Sequence, residues 1–195
     1  MFKTTINILG LLAVLFLFNS CGYNSMVELD ESVDSQWAQV ENVYQRRADL
    51  IPNLVATVKG AANFEKETIT AVMDARARAT SITIDPTNIT PDALQKFQEA
   101  QDGLSSSLGR LMMVSERYPD LKSNANFRDL QSQLEGTENR ITVERKKFND
   151  VTKNYNSYIR KFPSNVTAGM FSFDKKPYFE AEKTASEPVK VDFGK

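Results

Sequence analysis

Residues 30–64 carry apolar and polar positions in the rhythm of a single helix face. Val33, Trp37, Val40, Tyr44, Ala48, Ile51, Val55, Val58 and Ala62 follow one another in steps of three and four. A stripe this long needs partner helices, because most of a helix's stability in a protein comes from packing its apolar face. The chain supplies them. Leu94, Phe97, Gln101, Leu104, Leu108, Leu111 and Ser115 mark a second helix. It opens with Thr90 as cap, Pro91 at the first helical position and Asp92 in the first turn, and it closes before Pro119. The third stripe runs through Phe127, Leu130, Leu134, Thr137, Ile141, Glu144, Phe148, Val151, Tyr155, Tyr158 and Phe162, and Pro163 stops it.

Between these stripes lie the breaks. The first helix is expected to begin between Ser25 and Ser32 and to continue to about Ala79 through Ile69, Val72 and Met73. Pro52 falls inside it. Its ring removes one backbone donor and crowds the carbonyl of Ala48, so a bend or local break is expected there. Asp49 then stands where it can cap a restarted helix, and Asn53 where it can satisfy a freed carbonyl. Gly60 is a second weak point. Residues 81–90 end the helix, and residues 118–124 form a turn. A short helix is expected at 166–170, with Phe171, Phe173, Tyr178 and Phe179 docking on the rest. The polar residues 181–195 read as a disordered tail. These elements predict an all-α fold, an antiparallel up-and-down helical bundle with a long, proline-bent first helix and coiled-coil-like seams.

The N-terminus reads as an address. Lys3 precedes an apolar run from Ile6 to Phe18, 13 residues long. Spanning the hydrocarbon core takes about 20, so the run fits the apolar region of a signal peptide. The following LFNSC resembles a bacterial lipoprotein lipobox, which implies cleavage before Cys21 and a lipid on that cysteine. The other reading is an uncleaved, single-pass transmembrane anchor. The chain thus divides into a signal peptide or anchor (residues 1–20), a membrane tether (21–29), the bundle (30–180) and the tail (181–195).

Composition narrows the chemistry. The chain has 195 residues, a net charge of −1, no histidine and one cysteine. That excludes histidine-based acid–base catalysis, Ser-His-Asp triads, zinc sites built on histidine and an internal disulfide. The charge balance carries no nucleic-acid footprint, and no cofactor is implied. What remains is a set of polar residues near Pro52 and on the third helix: Arg46, Arg47, Asp49, Asn53, Glu138, Arg140, Glu144 and Arg145. The stripe phase places Arg47 toward the core, with Glu138 or Glu144 as its partner, and leaves Arg46 exposed. Glu138 and Glu144 lie six residues apart on one helix and so face different ways. A di-iron bundle would need Glu-x-x-His pairs, and phosphate-binding glycine loops are missing.

Several segments together carry a family resemblance. RRADLIPNLVATVKG at 46–60, YNSMV at 23–27, ARARA at 75–79, ERYPDLKSNANF at 116–127 and LEGTENRI at 134–141 occur in order, followed by FND, NYN and KFPSN. In these the chain resembles the bacterial LemA family. The resemblance implies a membrane-anchored helical bundle with no assigned catalytic residues. Many members carry a transmembrane helix before the YN element, where this chain has a shorter apolar run and Cys21. The expectation is therefore a non-catalytic scaffold or adaptor of the cell envelope, held by membrane lipid and meeting envelope protein partners. The alternative is an enzyme or small-ligand binder using a carboxylate–arginine pocket between helices.

Overall fold

The computed structural model describes the backbone of residues 2–60 and 64–180, and within those stretches the side chains from residue 22 onward. Six α-helices follow in order: α1 Phe2–Lys59, α2 Lys66–Ser81, α3 Pro91–Ser115, α4 Pro119–Ser123, α5 Ala125–Arg160 and α6 Ser164–Met170. A 3-10 turn, Pro86–Asn88, lies between α2 and α3. No strand occurs among the described residues. The side chains of residues 1–21, including Cys21, and the tail at 181–195 lie outside the described residues, as does Ala62.

The stripe from Val33 to Val58 is buried at every position, and Met26 and Leu54 join it. Two expectations about α1 need correction. The helix does not break at Pro52, whose ring lies on the exposed face and displaces nothing in the core. It ends instead at Lys59, where the Gly60 N–H bonds to the Thr57 carbonyl at 3.2 Å, so α1 and α2 are separate helices. Nor does α1 begin between Ser25 and Ser32: it starts at Phe2, and the expected tether is part of the same helix. That tether holds no proline, and Gly22 alone lowers its helix propensity without ending the helix.

The caps follow the sequence. Thr90 Oγ1 accepts from the Ala93 N–H at 3.2 Å. Asn124 Oδ1 accepts from the N–H groups of Asn126 and Phe127 at 2.9 and 3.2 Å and so opens α5. The turn expected at 118–124 closes into α4. On α5 the stripe holds as far as Phe148, then drifts. Thr152, Asn156 and Ile159 are buried, Val151 and Tyr158 are only half-buried, and Phe162 is 83% exposed. A helix of 3.6 residues per turn rotates away from strict steps of three and four, and Phe162 lies beyond the helix end at Arg160.

Side-chain pairs fix the directions. Gln36 meets Glu144 and Arg47 meets Glu138, so α1 and α5 are antiparallel. Glu65, at the start of α2, meets Arg117 beyond the end of α3, while Gln101 of α3 reaches Ala79 near the end of α2. α3 runs in the same sense as α1, with Phe97 against Tyr44 and Gln101 against Arg47. The four long helices thus run up, down, up and down. Their apolar residues form two clusters. One gathers Met26 to Tyr44 of α1 with Phe97, Ile141, Phe148 and Tyr155. The other gathers Ile51 to Val58 with α2, Leu104 to Leu111 of α3 and Phe127 and Leu134 of α5.

α2 is too short to cover the first cluster, and an extended stretch after α6 takes its place. Two asparagines of α5, one heptad apart, hold it by its backbone. Asn156 Nδ2 donates to the Lys176 carbonyl at 2.8 Å and Oδ1 accepts from the Lys176 N–H at 3.0 Å. Asn149 does the same to Phe179 at 3.1 and 2.9 Å. A primary amide has the donor–acceptor pair of a peptide unit, so each asparagine replaces one rung of a sheet. Phe179 then stacks on Trp37, ring centroids 6.0 Å apart, and meets Phe148 edge-on. Lys176 Nζ lies 2.6 Å from Asp30 and 2.5 Å from Asp34, and burial still pushes the Asp34 carboxyl above its ordinary range.

Asn149→Ala combined with Asn156→Ala should release this stretch while leaving the helices folded. Trypsin should then cut at Lys175 much faster, and emission from Trp37, the chain's single tryptophan, should shift to the red as Phe179 leaves. Unaltered cleavage and emission would mean that the ring contacts, the Lys176 ion pairs and Arg145 hold the segment without the asparagines.

Candidate functional site

A polar layer separates the two apolar clusters. On α1, Arg47 lies between Tyr44 of one cluster and Ile51 of the other; on α3, Gln101 lies between Phe97 and Leu104; on α5, Thr137 and Glu138 lie between Leu134 and Ile141. Each stripe carries its polar interruption at the same level. Arg47 is 1% exposed, the one fully buried charged residue among those described. Its Nη1 donates to Glu138 Oε2 at 2.9 Å and to Ser105 Oγ at 2.8 Å. Its Nη2 donates to Gln101 Oε1 at 2.6 Å and to the Gln101 carbonyl at 3.2 Å. Gln101 Nε2 passes the chain on to the Ala79 carbonyl of α2 at 3.2 Å. One guanidinium therefore ties α1 to α3 and α5, and through Gln101 to α2. The cation also lies 5.1 Å from the centre of the Tyr44 ring, whose hydroxyl pKa is pushed up to about 12, chiefly by burial. Arg47 Nε is buried without a partner.

The second feature explains why α1 survives Pro52. Proline has no N–H to give the carbonyl four residues back, which is that of Ala48. Arg76 of α2 supplies the missing donor: its Nε donates to Ala48 O at 2.7 Å. An arginine on a neighbouring helix thus completes the helix that proline leaves open. Asn53, expected in this role, is exposed, and Asp49 accepts from Gln45 Nε2 at 2.7 Å within an unbroken helix and caps nothing.

The remaining sequence candidates fall elsewhere. Arg46 and Arg140 are exposed and, with Asn42, Val43, Gln45, Asp49 and Leu50, line an open groove between α1 and α5. Glu144 accepts from Lys147 at 2.9 Å and from Gln36 at 2.7 Å; these two bonds, Lys147 first, hold its carboxyl below its ordinary range. Arg145 lies over the Phe179 ring at 4.9 Å and donates to the Glu180 carbonyl at 2.9 Å, so it secures the C-terminal stretch. Of the eight polar candidates, only Arg47 and Glu138 meet directly. Sequence reasoning missed Arg76, Ser105 and the part played by Gln101. For Gln101 the signal was present: a polar residue within an apolar stripe. Among the described residues, no group of three or more His, Cys, Asp or Glu side chains is placed to hold a metal ion.

A model of the LemA family matches residues 36–193. The chain belongs to the LemA family. Among curated relatives, it is similar to Magnetosome protein MamQ 1 of Paramagnetospirillum magneticum, 25% identical over 186 aligned residues that cover 86% of this chain and 68% of the relative. The MamQ of Magnetospirillum gryphiswaldense matches with the same identity and coverage. Protein LemA of Metamycoplasma hominis is 22% identical over 169 residues, covering 87% of this chain and 73% of that protein. In this LemA family chain, the segments that carry the resemblance are also the ones that fasten the bundle. RRADLIPN holds Arg47 and Pro52, ARARA holds Arg76, LEGTENRI holds Glu138, and FND and NYN hold Asn149 and Asn156.

Removing Glu138 strands a buried cation, so Glu138→Ala should cost about 3 kcal/mol, the low end for breaking a buried pair because the carboxylate is itself half-exposed. Chemical denaturation checks this; a loss under about 0.5 kcal/mol would assign the pair no more than the strength of a surface ion pair. Arg76→Met should cost roughly 1–3 kcal/mol by orphaning the Ala48 carbonyl. In a Pro52→Ala background, where residue 52 regains its N–H, the same change should cost almost nothing. Equal costs in both backgrounds of this double-mutant cycle would show that Arg76 does not act through the proline.

Proposed function

We propose that this LemA family protein is a membrane-anchored, non-catalytic helical-bundle protein of the bacterial cell envelope, acting as a scaffold or adaptor. The observation that carries this reading is the fate of Arg47. The one fully buried charge among the described residues has both of its Nη atoms engaged by three neighbouring side chains, and it ties helices together. A guanidinium committed in this way is not offered to a substrate. The apolar run at residues 6–18 continues into α1 without a break, so an anchor there would hold the bundle at a fixed angle to the membrane. Among the described residues, no helix is long and apolar enough to cross a membrane.

The finer reading is that Cys21 carries lipid and that the bundle lies on the periplasmic side. A lipid bearing more than one chain gives stable attachment, whereas one chain is marginal. The exposed Arg46 and Arg140 present two guanidinium groups in the groove, which suits an acidic stretch of an envelope protein partner. The groove also favours the alternative, a small anionic ligand held between α1 and α5.

Mass spectrometry of the mature protein should find lipid on Cys21 and no residues before it, with Cys21→Ser blocking both. An intact segment 1–20 would replace the lipoprotein reading with an uncleaved transmembrane anchor. Arg46→Ala combined with Arg140→Ala should leave the melting curve unchanged, because both side chains are exposed, and should remove specific products from crosslinking in native membranes. An identical set of crosslinked proteins would eliminate the groove as the docking site.

A further inference from the structure

Of the ten large apolar side chains exposed among the described residues, six gather at one end of the bundle. Val166 and Met170, spaced by four, lie on the outer face of α6, and Phe162, two residues before the helix, adds a third exposed apolar side chain at its start; Met170 is 74% exposed. Their helix mates Thr167 and Ala168 turn inward. Tyr23 and Val27, also spaced by four, form a second exposed row on α1. Phe171 joins the two rows, its ring 4.9 Å from that of Tyr23. Scattered apolar residues on a surface need no explanation, but two rows joined by ring contacts do.

What lies beside this patch says what covers it. Tyr23 follows the apolar run 6–18 on the same continuous helix. Tyr23 also lies two residues after Cys21, about 3 Å of helix, so either anchor, a retained run at 6–18 or a lipid on Cys21, brings this end of the bundle to the headgroup layer that flanks the hydrocarbon core. The patch is aromatic, as interfacial belts are. Exposed basic residues flank it: Arg160 and Lys161 precede Phe162, and Lys175 follows Phe171. Exposed Glu28 and Asp174 also adjoin it, but on the α6 side three basic residues stand against one acid, and apolar side chains flanked in this way suit anionic lipid.

We infer that α6, Phe162 and Phe171 form, with Tyr23 and Val27, an interfacial surface that rests on the same membrane that holds the N-terminus. The inference depends on the membrane-anchor reading above. It makes the bundle a domain seated on the lipid at two points, the emerging helix and α6, with the turn at α4 farthest away.

The test uses the full-length chain reconstituted into phosphatidylcholine–phosphatidylglycerol vesicles, with and without brominated acyl chains. Met170→Trp places an emitter on the patch, and Ser123→Trp places one on α4 at the opposite end; the buried Trp37 gives the common background. Brominated lipid should quench most of the emission added at position 170 and none of that added at 123. Protein that sediments with the vesicles but shows no quenching at 170 overturns the inference while leaving the anchor intact. Absent quenching together with a dimer that Met170→Asp dissociates assigns the patch to a second copy instead. Protein that fails to sediment with vesicles overturns both the anchor and this surface.

Discussion

A guanidinium placed between two apolar clusters has to be met by polar partners, and Arg47 imposes that requirement on the whole bundle. Burying an ion without partners costs far more than a small domain has to spare. The answer comes from side chains on two other helices and, through Gln101, from a fourth. Sliding α3 by a turn would bring Phe97 or Leu104 to the level of the cation, and sliding α5 would bring Leu134 or Ile141. The apolar stripes alone are more permissive, since Leu, Val and Ile at steps of three and four fit one another in several offsets. The layer therefore contributes a choice of register more than net stability, which is the best-attested use of buried polar groups.

The neighbouring fastenings work on the same principle. A backbone group without its usual partner is answered by a side chain from elsewhere in the chain. Arg76 supplies the donor that Pro52 lacks, one turn after Arg47, so the proline becomes a place where α2 must dock. Asn149 and Asn156 give peptide-like pairs to a stretch that has no strand beside it. Together they set α2 against the far half of α1, and the C-terminal stretch against the near half. The LemA family motifs in this chain coincide with these points, so what they specify here is the assembly of the bundle.

Much of this was legible in the sequence, for identifiable reasons. The stripes of α1 and α3 were read at every described position, missing only Met26, Leu54 and Val114, and Thr90 with Pro91 marked a helix start, because these signals are local. The inward phase of Arg47 was also readable, since one helix face determines it. Arg76 was not readable, because an orphaned carbonyl does not reveal which helix will reach it. The asparagines were missed because their partner is the backbone of an irregular segment, which leaves no periodic trace. Phe162 was misjudged because a stripe continued past Arg160 assumes a helix that has already ended. Pro52 suggested a break because proline's cost was counted without the donor that offsets it.

The claim that the Arg47 layer selects register can be tested by making the layer apolar. A chain carrying Arg47→Met, Gln101→Leu and Glu138→Leu keeps the volume and removes every ion and amide at that level. The account predicts that it melts near or above the unaltered protein, yet gives doubled or broadened amide resonances for α1 and α5, as several offsets become populated. A single sharp set of resonances at equal stability would contradict it, since the stripes alone would then be choosing the register.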